Sequence, residues 1–129
     1  MHRRFLVAAL LLPALGCGPP PASTAIGMRN RAVLTAAEIQ GSRTSGWTAY
    51  DLIAQLRPEF LRSRGATSLR DPVPVTATVY LDNVRFGNLE TLKIISAEQI
   101  QWIEYINAAD ATTRFGTDNF GGAILIVTK

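Results

Sequence analysis

The apolar and polar positions of this chain fall into short, clearly punctuated runs. From residue 74 to 81 the sequence alternates: Val75, Ala77, Val79 and Leu81 share one side, and Thr76, Thr78 and Tyr80 the other. That period predicts a β-strand with one buried face. Asp82-Asn83 follows. Both residues tolerate positive φ, so they predict a two-residue hairpin turn. Val84-Arg85-Phe86 is the return strand, stopped by Gly87-Asn88. Residues 89–95 alternate loosely and read as either a strand or an irregular turn. Ser96-Ala97-Glu98-Gln99 is a capping-box pattern, which predicts a short helix with Ile100 facing inward. Residues 102–106 read as a strand. Asn107 can cap a third helix over 108–114, and Gly116 stands where a left-handed C-cap belongs. Residues 117–122 form a loop. Residues 123–127 are an unbroken apolar strand, best placed centrally and covered on both faces.

The preceding part follows the same logic. Residues 31–34 predict a short entering strand. Thr35-Ala36-Ala37-Glu38 is a second capping box, opening a helix that Gly41-Ser42 stops. Ser45-Gly46 opens the next helix, over 47–56, where Trp47, Tyr50, Ile53 and Leu56 recur at every third position. Pro58 disfavours helical geometry at Arg57 and ends it. Phe60 and Leu61 fold back onto the core. These elements predict an α+β domain, with short helices packed on a small mixed sheet.

The first residues have a different character. Met1-His2-Arg3-Arg4 is basic, residues 5–12 are unbroken apolar, and small residues precede Cys17. The apolar run is too short to span a bilayer, which needs about 20 residues. Residues 1–16 therefore read as an export signal. The stretch before Cys17 resembles the lipobox of bacterial lipoproteins, with Gly16 at the cleavage position and with Ala14 and Leu15 in reversed order. The resemblance implies acylation of Cys17, and Gly18 after it resembles an outer-membrane address. Residues 17–30, rich in Pro and Gly, read as a flexible tether. Residues 31–129 are then the folded domain.

Composition removes several function classes. The whole chain carries a formal charge of +3, but Arg3 and Arg4 leave with the signal. The mature chain is close to neutral, which argues against electrostatically driven nucleic-acid binding. The single histidine, His2, also lies in the signal, and Cys17 is the single cysteine. A Ser-His-Asp triad, a Cys-His pair and a zinc site on His or Cys ligands are excluded. The expectation is a protein with no metal, no cofactor and no catalytic residues. Glu98 and Asp110 fall in first helical turns, where carboxylates favour the helix dipole. The loop 116–122 runs from a helix into a strand, the wrong direction for a phosphate cradle. Asp110, Asp118 and Asn119 lack the spacing of a calcium loop. Arg57, Arg62, Arg64 and Arg70 are a candidate anion- or partner-binding patch, although an arginine cluster alone is a weak motif and a solvated loop is the favoured explanation. Trp47, Trp102, Tyr80 and Tyr105 are core candidates, and an exposed Trp102 or Tyr80 would be a contact anchor.

Residues 79–129 resemble the C-terminal half of the plug domain of TonB-dependent outer-membrane receptors. The matching pieces are Val79-Tyr80-Leu81-Asp82-Asn83-Val84, residues 95–100, Ile103-Glu104-Tyr105-Ile106, and a closing segment with Phe115-Gly116, a Gly-rich loop and Thr128-Lys129. Asn83 replaces the family's usual glycine, and Ser96 stands where proline is common. Residues 34–61 resemble the earlier plug helices. The resemblance implies a plug-like fold and a periplasmic or outer-membrane setting. It implies no transport activity, since the 22-stranded barrel that encloses such plugs is not encoded in these residues. The expected function is a non-enzymatic, lipid-anchored lipoprotein of the outer membrane, facing the periplasm, that binds a protein or ligand in the envelope. The alternative is an accessory plug acting in trans with a separate transport barrel. The expected partners are the membrane, through the lipid, and an outer-membrane or periplasmic protein.

Overall fold

The computed structural model describes residues 30–42, 45–65 and 74–129. The expected export signal, Cys17 and the expected tether lie outside these residues, as does Arg70. The predicted α+β class is observed. A five-stranded mixed sheet has the order β1-β4-β5-β2-β3. Its strands are β1 (Val33–Leu34), β2 (Thr78–Leu81), β3 (Val84–Gly87), β4 (Ile100–Ile106) and β5 (Ala123–Thr128). The helices are α1 (Ala36–Gly41), α2 (Ala49–Leu56) and α3 (Ala108–Phe115), with 3₁₀ turns at Pro58–Leu61, Leu89–Ile94 and Ala97–Gln99. Among the described residues, no helix is long and apolar enough to cross a membrane.

Burial explains this order. β5 lies centrally, antiparallel to β4 and parallel to β2. Its side chains alternate between two cores. Ile124 and Ile126 join Leu34, Ile39, Leu52, Ile53, Val79, Leu92 and Ile103 beneath α1, α2 and the 3₁₀ segment at 89–94. Ala123 and Leu125 join Tyr80, Ile106 and Ala111 beneath α3 on the opposite face. A strand covered on both faces reads as a continuous apolar run, as 123–127 does.

Several local expectations hold at atomic detail. Thr35 accepts from the Glu38 amide at 3.4 Å, and the Glu38 carboxylate accepts from the Thr35 amide at 3.1 Å. Asn107 Oδ1 accepts from the Asp110 amide at 3.0 Å and caps α3. Asp82 and Asn83 take φ of 48° and 69° at the β2–β3 turn.

Other expectations are corrected. The strand predicted over 74–81 is confined to Thr78–Leu81. Val75 instead bonds the preceding loop, accepting from the Arg64 amide at 2.8 Å and donating to Gly65 at 3.0 Å. Within β2, Thr78 and Tyr80 are buried like Val79, and Tyr80 packs in the second core with Ala111 and Phe115 of α3. α2 starts later than predicted. Thr48, not Ser45, is its N-cap, in a reciprocal box with Asp51, and Trp47 precedes the helix. The pattern at 96–99 gives no capping box. Only three residues coil there, and the Ser96 side chain makes no cap bond. Backbone bonding between residues 47–49 and 95–97 competes locally, with Ala97 donating to Trp47 at 2.9 Å and Ala49 to Ile95 at 2.8 Å. Residues 89–94 form a 3₁₀ segment, and α3 extends to Phe115. Gly116 has the expected positive φ, 98°, but an extended ψ of −176°, so it is not a left-handed cap.

Asp82 does more than turn the hairpin. Its Oδ1 accepts from the Thr128 amide at 3.0 Å and its Oδ2 from the Thr128 hydroxyl at 2.8 Å. This ties the β2–β3 turn to the end of β5. The amide bond first, then the hydroxyl, hold the Asp82 carboxyl below its ordinary range. A depressed folded value stabilises the fold above the ordinary aspartate value, and the contribution is lost as pH falls through the folded value. Asp82→Asn should therefore lower the thermal midpoint at pH 7. The difference from the wild type should shrink as the melts are repeated at pH values falling progressively below the ordinary aspartate value.

Candidate functional site

Of the four arginines singled out in the sequence, the three in the described residues divide between a buried brace, Arg57, and an exposed loop, Arg62 and Arg64. Arg57 follows α2, and its side chain is only 13% exposed. Its Nη2 donates to Glu38 at 2.9 Å and its Nη1 to the Leu56 carbonyl at 2.8 Å. It ties the end of α2 to the start of α1 and is committed to that task, with its Nε buried and unbonded. The Thr35 amide above all, and then Arg57, hold the Glu38 carboxyl below its ordinary range against the opposing effect of burial. Arg62 and Arg64 are exposed on the loop after the Pro58–Leu61 turn. Arg70 lies outside the described residues.

Arg64 belongs to a cluster centred on Tyr105 of β4. Its guanidinium lies 4.5 Å from the Tyr105 ring centroid. The same ring stacks on Phe60 at 5.4 Å. The Tyr105 hydroxyl donates to the Gly121 carbonyl at 2.8 Å. The Tyr105 amide donates to Ala32 at 2.7 Å, where the chain enters the sheet. Burial pushes the Tyr105 phenol up, with Arg64 opposing. One tyrosine thus gathers the entry of β1, the loop 62–65 and the Gly-rich loop at one end of the sheet.

The Gly-rich loop is built for packing. Asn119 is 2% exposed. Its Oδ1 accepts from the Tyr80 hydroxyl at 3.1 Å, and its Nδ2 donates to Gly116 at 3.0 Å. Tyr80 in turn stacks on Phe115 at 3.9 Å. The Gly122 amide donates to Asn119 at 2.9 Å, so it does not point toward a ligand. Tyr80 is core, as expected, while Trp47 and Trp102 are partly buried at the core margins.

Chemistry is sparse. Among the described residues, no group of three or more histidine, cysteine, aspartate or glutamate side chains could hold a metal ion. Asp51, Asp82 and Asp110 are engaged with Thr48, Thr128 and Asn107. No family model matches this chain, and no curated protein or solved structure matches it either. Function therefore has to be argued from the surface and the sequence.

Shallow, open clefts lie among the described residues. One of about 380 Å³ is lined by Thr76, Thr78, Arg85, Asn88 and Thr91. Another, of about 300 Å³, is lined by Trp47, Lys93, Ile94 and Ser96. Sequence reasoning missed the exposed apolar side chains Val84, Ile94 and Phe120, which are 69%, 75% and 69% exposed. Phe120 carried a signal. It is flanked by Asn119 and Gly121-Gly122, a loop context in which a large aromatic has little local core to enter.

Proposed function

We propose that this protein is a non-enzymatic lipoprotein of the bacterial outer membrane whose plug-like α+β domain binds a protein or ligand in the envelope. The observation that carries the reading is a plug-like order of elements behind a lipid-attachment signal at Cys17. The Asp82–Thr128 link supports it, because it joins two of the sequence pieces on which the plug resemblance rests. The engagement of Asp51, Asp82 and Asp110 in caps and turns is consistent with a binding rather than a catalytic role.

The test is recovery of the lipidated protein from membranes in mild detergent. A stable envelope partner supports the reading, and recovery only as a free monomer counts against it. Co-purification with a transport barrel that lacks its own plug would favour the accessory role in trans. The anchor has a separate readout. Cys17→Ser should move the protein almost completely from the membrane to the soluble fraction, since more than one acyl chain is needed for stable attachment. Failure of the wild type to take up labelled palmitate would sink the lipid-anchor reading.

A further inference from the structure

We propose that the end of the domain gathered around Tyr105 is a docking surface for anionic phospholipid headgroups, with Arg31, Arg62 and Arg64 as the cationic contacts and Phe120 as the apolar one. The proposal deepens the lipoprotein reading and rests on it only for the orientation of the domain.

The three arginines are exposed, and among the described residues none of them has an acidic partner. Backbone and ring contacts bring them to one place. Arg31 precedes Ala32, whose carbonyl accepts from the Tyr105 amide. Arg64 lies over the Tyr105 ring. The Tyr105 hydroxyl holds Gly121, the neighbour of Phe120. Arg62 lies on the same loop, which bonds Val75. Phe120 is 69% exposed although both its neighbours are buried. An aromatic ring held outward from an anchored loop is suited to the headgroup–acyl boundary. Asp110 opens α3 at this same end, where the helix N-terminus offsets its charge.

The position of the chain entry selects a lipid surface over other anions. The stretch from Cys17 to Asn30 can span at most about 45 Å. It joins the domain at Asn30, beside Arg31, so a lipid on Cys17 would keep Arg31 within that distance of the bilayer. Arginines close to an anionic leaflet each add about fivefold to partitioning. The attraction decays within a Debye length, so it acts only on the face turned to the membrane.

The test uses the mature chain carrying Cys17→Ser, so that no acyl chain contributes. It is co-sedimented with vesicles of phosphatidylcholine alone, or of phosphatidylcholine and phosphatidylglycerol in equal parts. The expected result is sedimentation with the anionic vesicles only, weakening as salt is raised. Arg62→Gln should reduce it about fivefold, and Arg62→Gln with Arg64→Gln roughly 25-fold. Phe120→Ser should also reduce it without changing the thermal midpoint. Lys93→Gln, at the opposite end of the sheet, should leave it unchanged. Equal sedimentation with both vesicle types, none with either, or equal losses for Lys93→Gln and Arg62→Gln would overturn the proposal. Palmitate labelling of the wild type keeps the two ideas apart. Labelling without vesicle binding sinks only the docking surface, and vesicle binding without labelling sinks only the lipid anchor.

Discussion

Gly121→Ala is expected to lower the thermal midpoint by roughly 12–24 °C, from a cost of about 3 kcal/mol and about 4–8 °C per kcal/mol in a domain of this size. Gly121 is buried in the turn just before β5. An added Cβ there falls onto the backbone carbonyl of Thr76. No flexible side chain can yield, because the obstacle is the main chain leading into β2. The loop itself cannot move away easily, since Tyr105 holds the Gly121 carbonyl and Asn119 is locked beneath. Gly41→Ala is the matched control. Nothing lies within 4 Å of a Cβ at Gly41, on the last position of α1. That substitution should be neutral or stabilising by up to about 1 kcal/mol. Thermal melts of the two variants side by side check the pair, and a Gly121→Ala midpoint within a few degrees of the wild type would contradict the packing described.

Ile103→Ala should cost about 2–5 kcal/mol, and Ile103→Val only about 0.5–1.5 kcal/mol. Ile103 is fully buried in β4 and is paired with Leu34 of β1 on one side and Ile126 of β5 on the other. It lies in the larger core, beneath α1 and α2. Truncation leaves a cavity between three strands and the helices above them, and a sheet bonded on both sides cannot collapse into it. Denaturant midpoints measure the effect. The whole stability of a domain is about 5–15 kcal/mol, so the alanine variant should lose a large share of it.

Both expectations depend on contacts distant in the chain, which marks the boundary of what the sequence disclosed. The reciprocal bond between Thr35 and Glu38 was legible because both ends of it lie within one turn. The hairpin at Asp82-Asn83 was legible because positive φ is a property of the residues themselves. β5 was legible as a central strand because an apolar run without alternation needs cover on both faces. The failures share a cause. Ser96 to Gln99 has the same pattern as Thr35 to Glu38, yet its backbone is taken by residues 47–49. Residues 74–77 alternate as a strand should, yet their partner is the loop at 63–65. In each case a tertiary hydrogen bond outweighed a local preference worth only about 1 kcal/mol.

The candidate arginines divide in the same way. Their positions in the chain are identical in kind, polar and close to a proline, and nothing local separates Arg57 from Arg62. The fold separates them. α1 brings Glu38 to Arg57 and turns it into a brace, whereas Arg62 and Arg64 remain at the surface, Arg64 against Tyr105. Phe120 is the converse, a residue whose composition suggests core and whose anchored neighbours hold it outward.

By itself, then, the sequence determined the α+β class, two of the caps, the hairpin turn, the central position of β5, and that residues 18–129 contain neither histidine nor cysteine. Each of these depends on residues within a turn of one another or on composition. Only the tertiary structure decided that β5 lies between β2 and β4, that Thr78 and Tyr80 are buried, that Asp82 clasps Thr128, and which arginines face solvent. Those outcomes depend on pairing across tens of residues, where side-chain pattern allows several partners and the shared burial of two cores selects one.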